Sequence, residues 1–257
     1  MNFAQDLGST NSSNSTSGGS SNGGPIDWQW LIARSKAILF NPTTVWQDLK
    51  NDSMGIPELY KRWILPMAGL PALCGFLGLV IFGKHVPFIG TFRPGIVSAF
   101  GGQLMAFVMS LVGAYLFAFI ADKLAPKFEG STNLVSCLKM VAFAATPSYI
   151  AGLFNILPSL GINGLLALVG GLYGLYLIWN AIPVMTGVPE AKRLPYFAVT
   201  IVVSIIAGIV LSVLFAIVTP STNPPPVSFK TDNGEIDLNK IQEGLKQFEK
   251  MIPQAHE

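Results

Sequence analysis

The groups that could do covalent or metal chemistry are few: two histidines, His85 and His256, and two cysteines, Cys74 and Cys137. Metal binding or thiol catalysis needs such residues clustered at short spacing. Neither cysteine has a Cys or His at ligand distance along the chain, so both read as buried structural thiols. No nucleophile elbow, phosphate-binding glycine loop, C-x-x-C or H-E-x-x-H occurs. Paired carboxylates inside an apolar stretch, the mark of proton coupling, are missing from the sequence as well. The reading is a chain without catalytic residues, metal or cofactor, whose work is non-covalent.

What remains informative is small, kinking or amphipathic. Ser98, Gly102, Ala106, Ser110, Ala114 and Ala118 recur every fourth residue, as do Thr200, Ser204, Gly208, Ser212 and Ala216. Such rows form ridges with little side-chain bulk, along which helices approach closely in lipid. They predict tight packing within the chain, with a homo-oligomer as the other use. Gly170 and Gly174 make a single G-x-x-x-G. Lys139 either snorkels to the headgroups or pairs with Asp122, fixing a helix junction. Pro147 and Pro183 each free a backbone carbonyl and predict kinks. Trp30, Trp46 and Trp63 have the indole and nearby cations of interface anchors.

These residues need elements to place them, and the charge distribution supplies the outline. Only 12% of residues are charged, against about 25% in a soluble domain. No Asp, Glu, Lys or Arg occurs in 63–83, 94–121, 140–189 or 194–229, runs of 21, 28, 50 and 36 residues. A spanning helix needs about 20, and Leu157-Pro158-Ser159 splits the longest run. The expectation is an all-α membrane protein with five transmembrane helices at about 63–82, 96–121, 134–157, 164–186 and 196–218. Residues 1–25 are a Ser/Gly/Asn-rich segment predicted to be disordered, with no cleaved signal peptide expected. Residues 26–62 hold two amphipathic helices too charged to span, lying on the membrane or packing on the bundle's own face.

Near the membrane, seven basic residues (Lys50, Lys61, Arg62, Lys123, Lys127, Lys192, Arg193) lie on one side and three (Lys84, Arg93, Lys230) on the other. The positive-inside rule then puts the N-terminus in the cytoplasm and the C-terminus outside. The exterior tail, 219–257, carries a hairpin signal at Asn233-Gly234 and an amphipathic stripe at Leu238, Ile241, Leu245, Phe248 and Ile252. A net charge of +2 gives no reason to expect nucleic acid.

Several stretches together, ARSKAILFNPTTVWQDL (33–49), YKRWILPMAGLPALCGFLG (60–78), DKLAPKFEGSTNLVSCLKMVAFAATPSYIAGLFNILPSLG (122–161) and GLYGLYLIWNAIPVMTGVPEAK (171–192), resemble the Yip-domain family in its bacterial branch. The resemblance covers roughly residues 30–218 and implies five membrane helices with a cytoplasmic N-terminus. Eukaryotic members are similar in binding Rab-type GTPases and in trafficking or shaping membranes. Their Asp-Leu-Tyr-Gly-Pro stretch has no counterpart here beyond Glu58-Leu59-Tyr60, followed by Lys61, and no family catalytic residues exist to transfer. The functional expectation is a non-enzymatic scaffold or adaptor of the cell's inner membrane. Its partners are the bilayer, an unidentified membrane or cytoplasmic protein, or a second copy. The alternative is a transporter or channel for a small molecule, ion or lipid.

Overall fold

The computed structural model describes residues 27–86, 90–131, 133–218, 228–231 and 234–237. The expected disordered segment 1–25 and the amphipathic stripe of the tail lie outside these residues. Helix α1 (Trp28–Phe40) starts where the Asp27 carboxylate accepts the Trp30 amide at 3.0 Å, and α2 (Pro42–Asn51) starts on a proline. The first start has a side-chain cap, and in the second the proline has no N–H to leave unpaired. The first span is one helical run made of α3 (Ile56–Leu59), a π turn over Tyr60–Ile64, and α4 (Leu65–Ile81). The π turn falls just before Pro66, which has no N–H to give to the carbonyl of Arg62, so the ladder slips by one residue. Gly83 ends α4 at φ 74°, donating to the Gly78 carbonyl at 3.0 Å, a left-handed closure that glycine adopts without strain.

The other spans are α5 (Ile96–Leu124), then α6 (Leu134–Ala144) continued by α7 (Thr146–Leu153), then α8 (Leu160–Met185) and α9 (Glu190–Val218). Among the described residues five helical runs are thus long and apolar enough to cross a membrane, and the all-α five-span class stands. Their ends differ from the charge-based boundaries. The first run begins at Ile56, the fourth at Leu160 and the fifth at Glu190. Local caps, not the last charge, set these ends: the Ser159 hydroxyl accepts the Ile162 amide at 3.3 Å, and the charges at 190–193 sit inside the first turn of α9.

Two short antiparallel hairpins complete the described chain. Strand β1 (Lys84–Val86) pairs with β2 (Gly90–Phe92), and β3 (Ser228–Thr231) with β4 (Gly234–Asp237). The predicted tail hairpin is present as paired strands, with Thr231 opposite Gly234, so Gly234 already belongs to the strand. The β1–β2 hairpin was not anticipated. It is held by the His85 amide donating to the Pro158 carbonyl at 2.6 Å, while Arg93 donates to the last carbonyl of α4, Ile81, at 3.2 Å.

The core lies toward the end of the bundle that carries Lys61, Arg62, Lys123, Lys192 and Arg193, here called the basic end. Helix α6 is its axis: every residue from Cys137 to Ala144 is buried. Helix α9 is the opposite case. It packs through its start, and none of its described side chains beyond Thr200 is buried.

Candidate functional site

The most elaborated region is the seat of the α1–α2 hairpin on the bundle. Leu31, Ser35 and Ile38 of α1 and Val45, Trp46 and Leu49 of α2 turn inward and are buried, with α2 covering α8. Arg34 reaches across the hairpin to Asp48 at 3.4 Å, an exposed pair of little energetic weight. The stronger ties are aromatic. The Trp63 ring stacks on Phe143 at 4.0 Å, and its Nε1 donates to the Ala142 carbonyl at 3.1 Å. Trp30 meets Trp63 edge-on at 5.6 Å, and the Arg62 guanidinium lies 5.1 Å from the Trp30 ring. One column of side chains therefore links α6, the first span and α1.

This corrects the reading of Trp46 and Trp63 as interface anchors. Trp46 and Trp63 are both 0% exposed, so their rings contact protein, and Trp30 is half-buried. The hairpin supplies a cover that α6 and α8 lack, and indole is the largest apolar group available to fill it. Trp46 seats its Nε1 without a hydrogen-bond partner among the described residues.

Lys139 is also corrected. It neither snorkels nor pairs with Asp122. Its side chain is buried and donates to the carbonyls of Leu49 at 3.2 Å and Asp52 at 2.5 Å. Those carbonyls close the C-terminus of α2, where the helix dipole favours a cation. Asp122 instead has its ion pair with the adjacent Lys123 at 3.2 Å. The junction of the second and third spans is therefore not fixed by this pair.

Both kink prolines are explained by what happens to the carbonyl four residues earlier. Pro147 restarts the third span as α7 after a break at Ala145, and the carbonyl it frees, Phe143, accepts the Thr146 hydroxyl at 2.6 Å. Pro183 lies within α8, which continues to Met185. The carbonyl it frees is Trp179, and this accepts the Arg193 guanidinium, which also lies 4.1 Å from the Trp179 ring. Pro183 thus creates the acceptor that docks the start of α9.

The small-residue ridges are only partly used. In α5, Ala114 and Ala118 are buried, Ser110 is half-buried and bonds Tyr149 at 3.3 Å, and Ser98, Gly102 and Ala106 are exposed. In α9, Thr200 is buried, Ser204 half-buried, and Gly208 and Ser212 exposed; the side chain of Ala216 is outside the described set. A Cβ added at Gly102 or Gly208 would meet nothing within 4 Å. Away from the basic end, Gly102 and Gly208 meet no other part of the described chain and Ala106 lines a gap between helices, so neither ridge packs along its whole length. The close approaches belong to other glycines. A Cβ at Gly174 would come 2.9 Å from the Ala144 carbonyl, and at Gly170, 2.8 Å from the Pro147 carbonyl. The lone G-x-x-x-G is the ridge that packs.

Sequence reasoning did not single out three tyrosines that join helices through their hydroxyls. Tyr60 donates to Leu111 at 2.9 Å, Tyr173 to Leu39 at 2.6 Å and Tyr196 to Ala121 at 2.9 Å, each to a backbone carbonyl. The signal was present, since a phenol in an apolar span must find an acceptor; the identity of the acceptor was not. Among the described residues no three His, Cys, Asp or Glu side chains gather as a metal site.

The model of the Yip1 domain matches residues 36–212. The chain is 24% identical over 186 residues to the inner membrane protein YohC of Escherichia coli K12, an alignment covering 70% of this chain and 91% of that protein. YohC of a second Escherichia coli strain, O6:H1, is similar to the same extent. No solved structure matches.

Proposed function

The chain belongs to the Yip1 domain family, and from that membership we propose that it is a non-enzymatic scaffold or adaptor of an inner membrane, presenting its α1–α2 hairpin at the cytoplasmic surface. The observation that carries this reading is the two-sided character of α1. One face is fastened to the bundle by the Trp30–Trp63–Phe143 column and by Tyr173, while Trp28, Ile32 and Phe40 on the other are exposed, Phe40 by 77%. Trp28, Ile32 and Phe40 recur at multiples of four residues, so they share one strip of the helix. An apolar strip held rigidly beside Arg34, Lys36 and Arg62 suits the headgroup layer or a protein partner docked there.

The orientation is part of the proposal. It rests on the seven-to-three sorting of basic residues and on the relatives' inner-membrane location. A reporter fused after Lys127 should work in the cytoplasm and one fused after residue 257 outside it. For the scaffold itself, the test is crosslinking and co-purification from native membranes, wild type against a Trp28→Ser, Ile32→Ser, Phe40→Ser triple variant. A defined partner set lost in the variant supports the reading. Identical partners for both proteins, or robust saturable solute flux into proteoliposomes, would overturn it.

A further inference from the structure

Away from the basic end, α4, α5, α7 and α8 do not close on one another, and a cavity of about 250 Å³ remains between them. The backbone explains the gap. Pro71 sits inside α4, Pro147 breaks the third span, and α7 gives way to a tighter turn over Phe154–Ile156. The wall carries Gln103, Ser148, Asn155 and Asn163 and the Ser110–Tyr149 hydroxyl pair, with no charged residue among the described lining. Asn163 is 7% exposed; its Nδ2 donates to the Leu157 carbonyl at 3.0 Å, while its Oδ1 has no partner. Gln103, Ser148 and Asn155 form no side-chain hydrogen bond with another described residue. Unpaired amides and hydroxyls at membrane depth are costly unless something in the cavity pairs with them.

The place of Gln103 depends on a missing side chain opposite: a Cβ at Gly75 would lie 2.6 Å from Gln103 Oε1. Next to the cavity, and sharing Ala72, Gln103 and Phe107 with it, runs a groove of about 230 Å³ on the outer side of α4 and α5. Apart from Gln103 it is lined by apolar groups, with Phe76 and Phe100 edge-to-face at 5.9 Å. A cavity bearing several amides and hydroxyls thus adjoins an apolar groove, with Gln103 in the wall common to both.

We propose that cavity and groove together bind a neutral amphiphile, a membrane molecule with an uncharged hydroxyl-and-carbonyl head and a hydrocarbon chain. The head sits against Gln103, Ser148 and Asn163, and the chain lies along Phe76, Phe100 and Leu104. The polar groups offer both donors (the amide N–H groups and the hydroxyl) and an acceptor (Asn163 Oδ1), which a hydroxyl beside an ester answers on both counts. A phosphate head is disfavoured, because no lysine or arginine lines the pocket to pair its charge. This site is independent of the scaffold reading and lies on a different face from the hairpin.

The test uses the full chain in phosphatidylcholine nanodiscs with two photoactivatable probes of identical acyl chains, a diacylglycerol and a phosphatidylglycerol. The diacylglycerol should label the facing sides of α4 and α5. Gln103→Leu and Asn163→Leu should each reduce that labelling about fivefold, the worth of one neutral hydrogen bond. Gly75→Ala, which pushes the Gln103 amide aside, should act in the same direction without replacing a polar group. Labelling of Ile205 and Ile209 on the lipid-facing side of α9 reports insertion and should stay constant in every variant. Equal or stronger labelling of the pocket by phosphatidylglycerol overturns the proposal. So does labelling that is indifferent to all three substitutions, which marks a pocket filled by water or by bulk lipid.

Discussion

Replacing Lys139 by Met keeps the length of the side chain and removes its charge and all three donors. Two carbonyls, Leu49 and Asp52, lose a charge-assisted hydrogen bond, each worth about 1.5–3 kcal/mol. These figures are already net of the exchange with water, and the two carbonyls are left at a helix terminus with no replacement donor. At the low end of the range the two bonds together give a cost of about 3 kcal/mol, roughly 150-fold in the docking equilibrium of the C-terminal turn of α2. Hydrogen exchange on the intact protein in nanodiscs should show residues 46–52 losing protection by about that factor, while α8 and the second half of α5 keep theirs. The companion experiment is a double-mutant cycle with Asp122→Asn. Because Asp122 has its ion pair with Lys123, the cycle should show no coupling beyond about 0.5 kcal/mol. Unchanged protection in Lys139→Met, or strong coupling to Asp122, would refute the capping account.

Glycine substitutions should separate packed from unpacked ridges. Gly174→Ala and Gly170→Ala force a Cβ onto backbone carbonyls and should cost about 1–3 kcal/mol, read as a lower unfolding midpoint. Gly102→Ala and Gly208→Ala enter open space and should be neutral or stabilising by up to about 1 kcal/mol. Trp63→Phe should lose about 1–3 kcal/mol by orphaning the Ala142 carbonyl, whereas Trp46→Phe, which discards an unpartnered N–H, should cost less; thermal unfolding in detergent ranks the two. Arg193→Gln and Pro183→Ala should each loosen the start of α9, and the double variant should be little worse than either, because both remove the one contact at the Trp179 carbonyl. Cysteine accessibility at Leu194 reads that coupling.

The five spans were legible because bilayer thickness imposes a length and an apolar composition on every crossing, and neither depends on neighbours. Their ends were less so, since Ser159 and Gly83 act as local punctuation inside apolar surroundings. Lys139 was misread for a related reason. From sequence its partner must be sought among acidic side chains, yet the partners are backbone carbonyls of Leu49 and Asp52, which every residue has and no pattern marks. The ridge of α5 was legible only in part, because spacing shows which residues share a face and not how far along it another helix stays near. The cavity was half visible: Ser110 lies on the predicted ridge of the second span, but the bends that bring Ser148, Asn155, Gln103 and Asn163 beside it depend on how Pro71 and Pro147 redirect two different helices.

The sparse attachment of α9 bears on how the chain is made. This helix leaves the ribosome after the other four, when the hairpin, α6 and α8 can already have closed around their aromatic column. It needs only its first turns, Arg193 and Tyr196, to moor it. Beyond Thr200 the described side chains meet the surroundings of the bundle more than its interior, so what they must satisfy is solubility in lipid and not fit. Almost any Val, Ile or Leu will do at most of these positions, and mutations there should drift freely, whereas Arg193, Tyr196 and Thr200 should tolerate few.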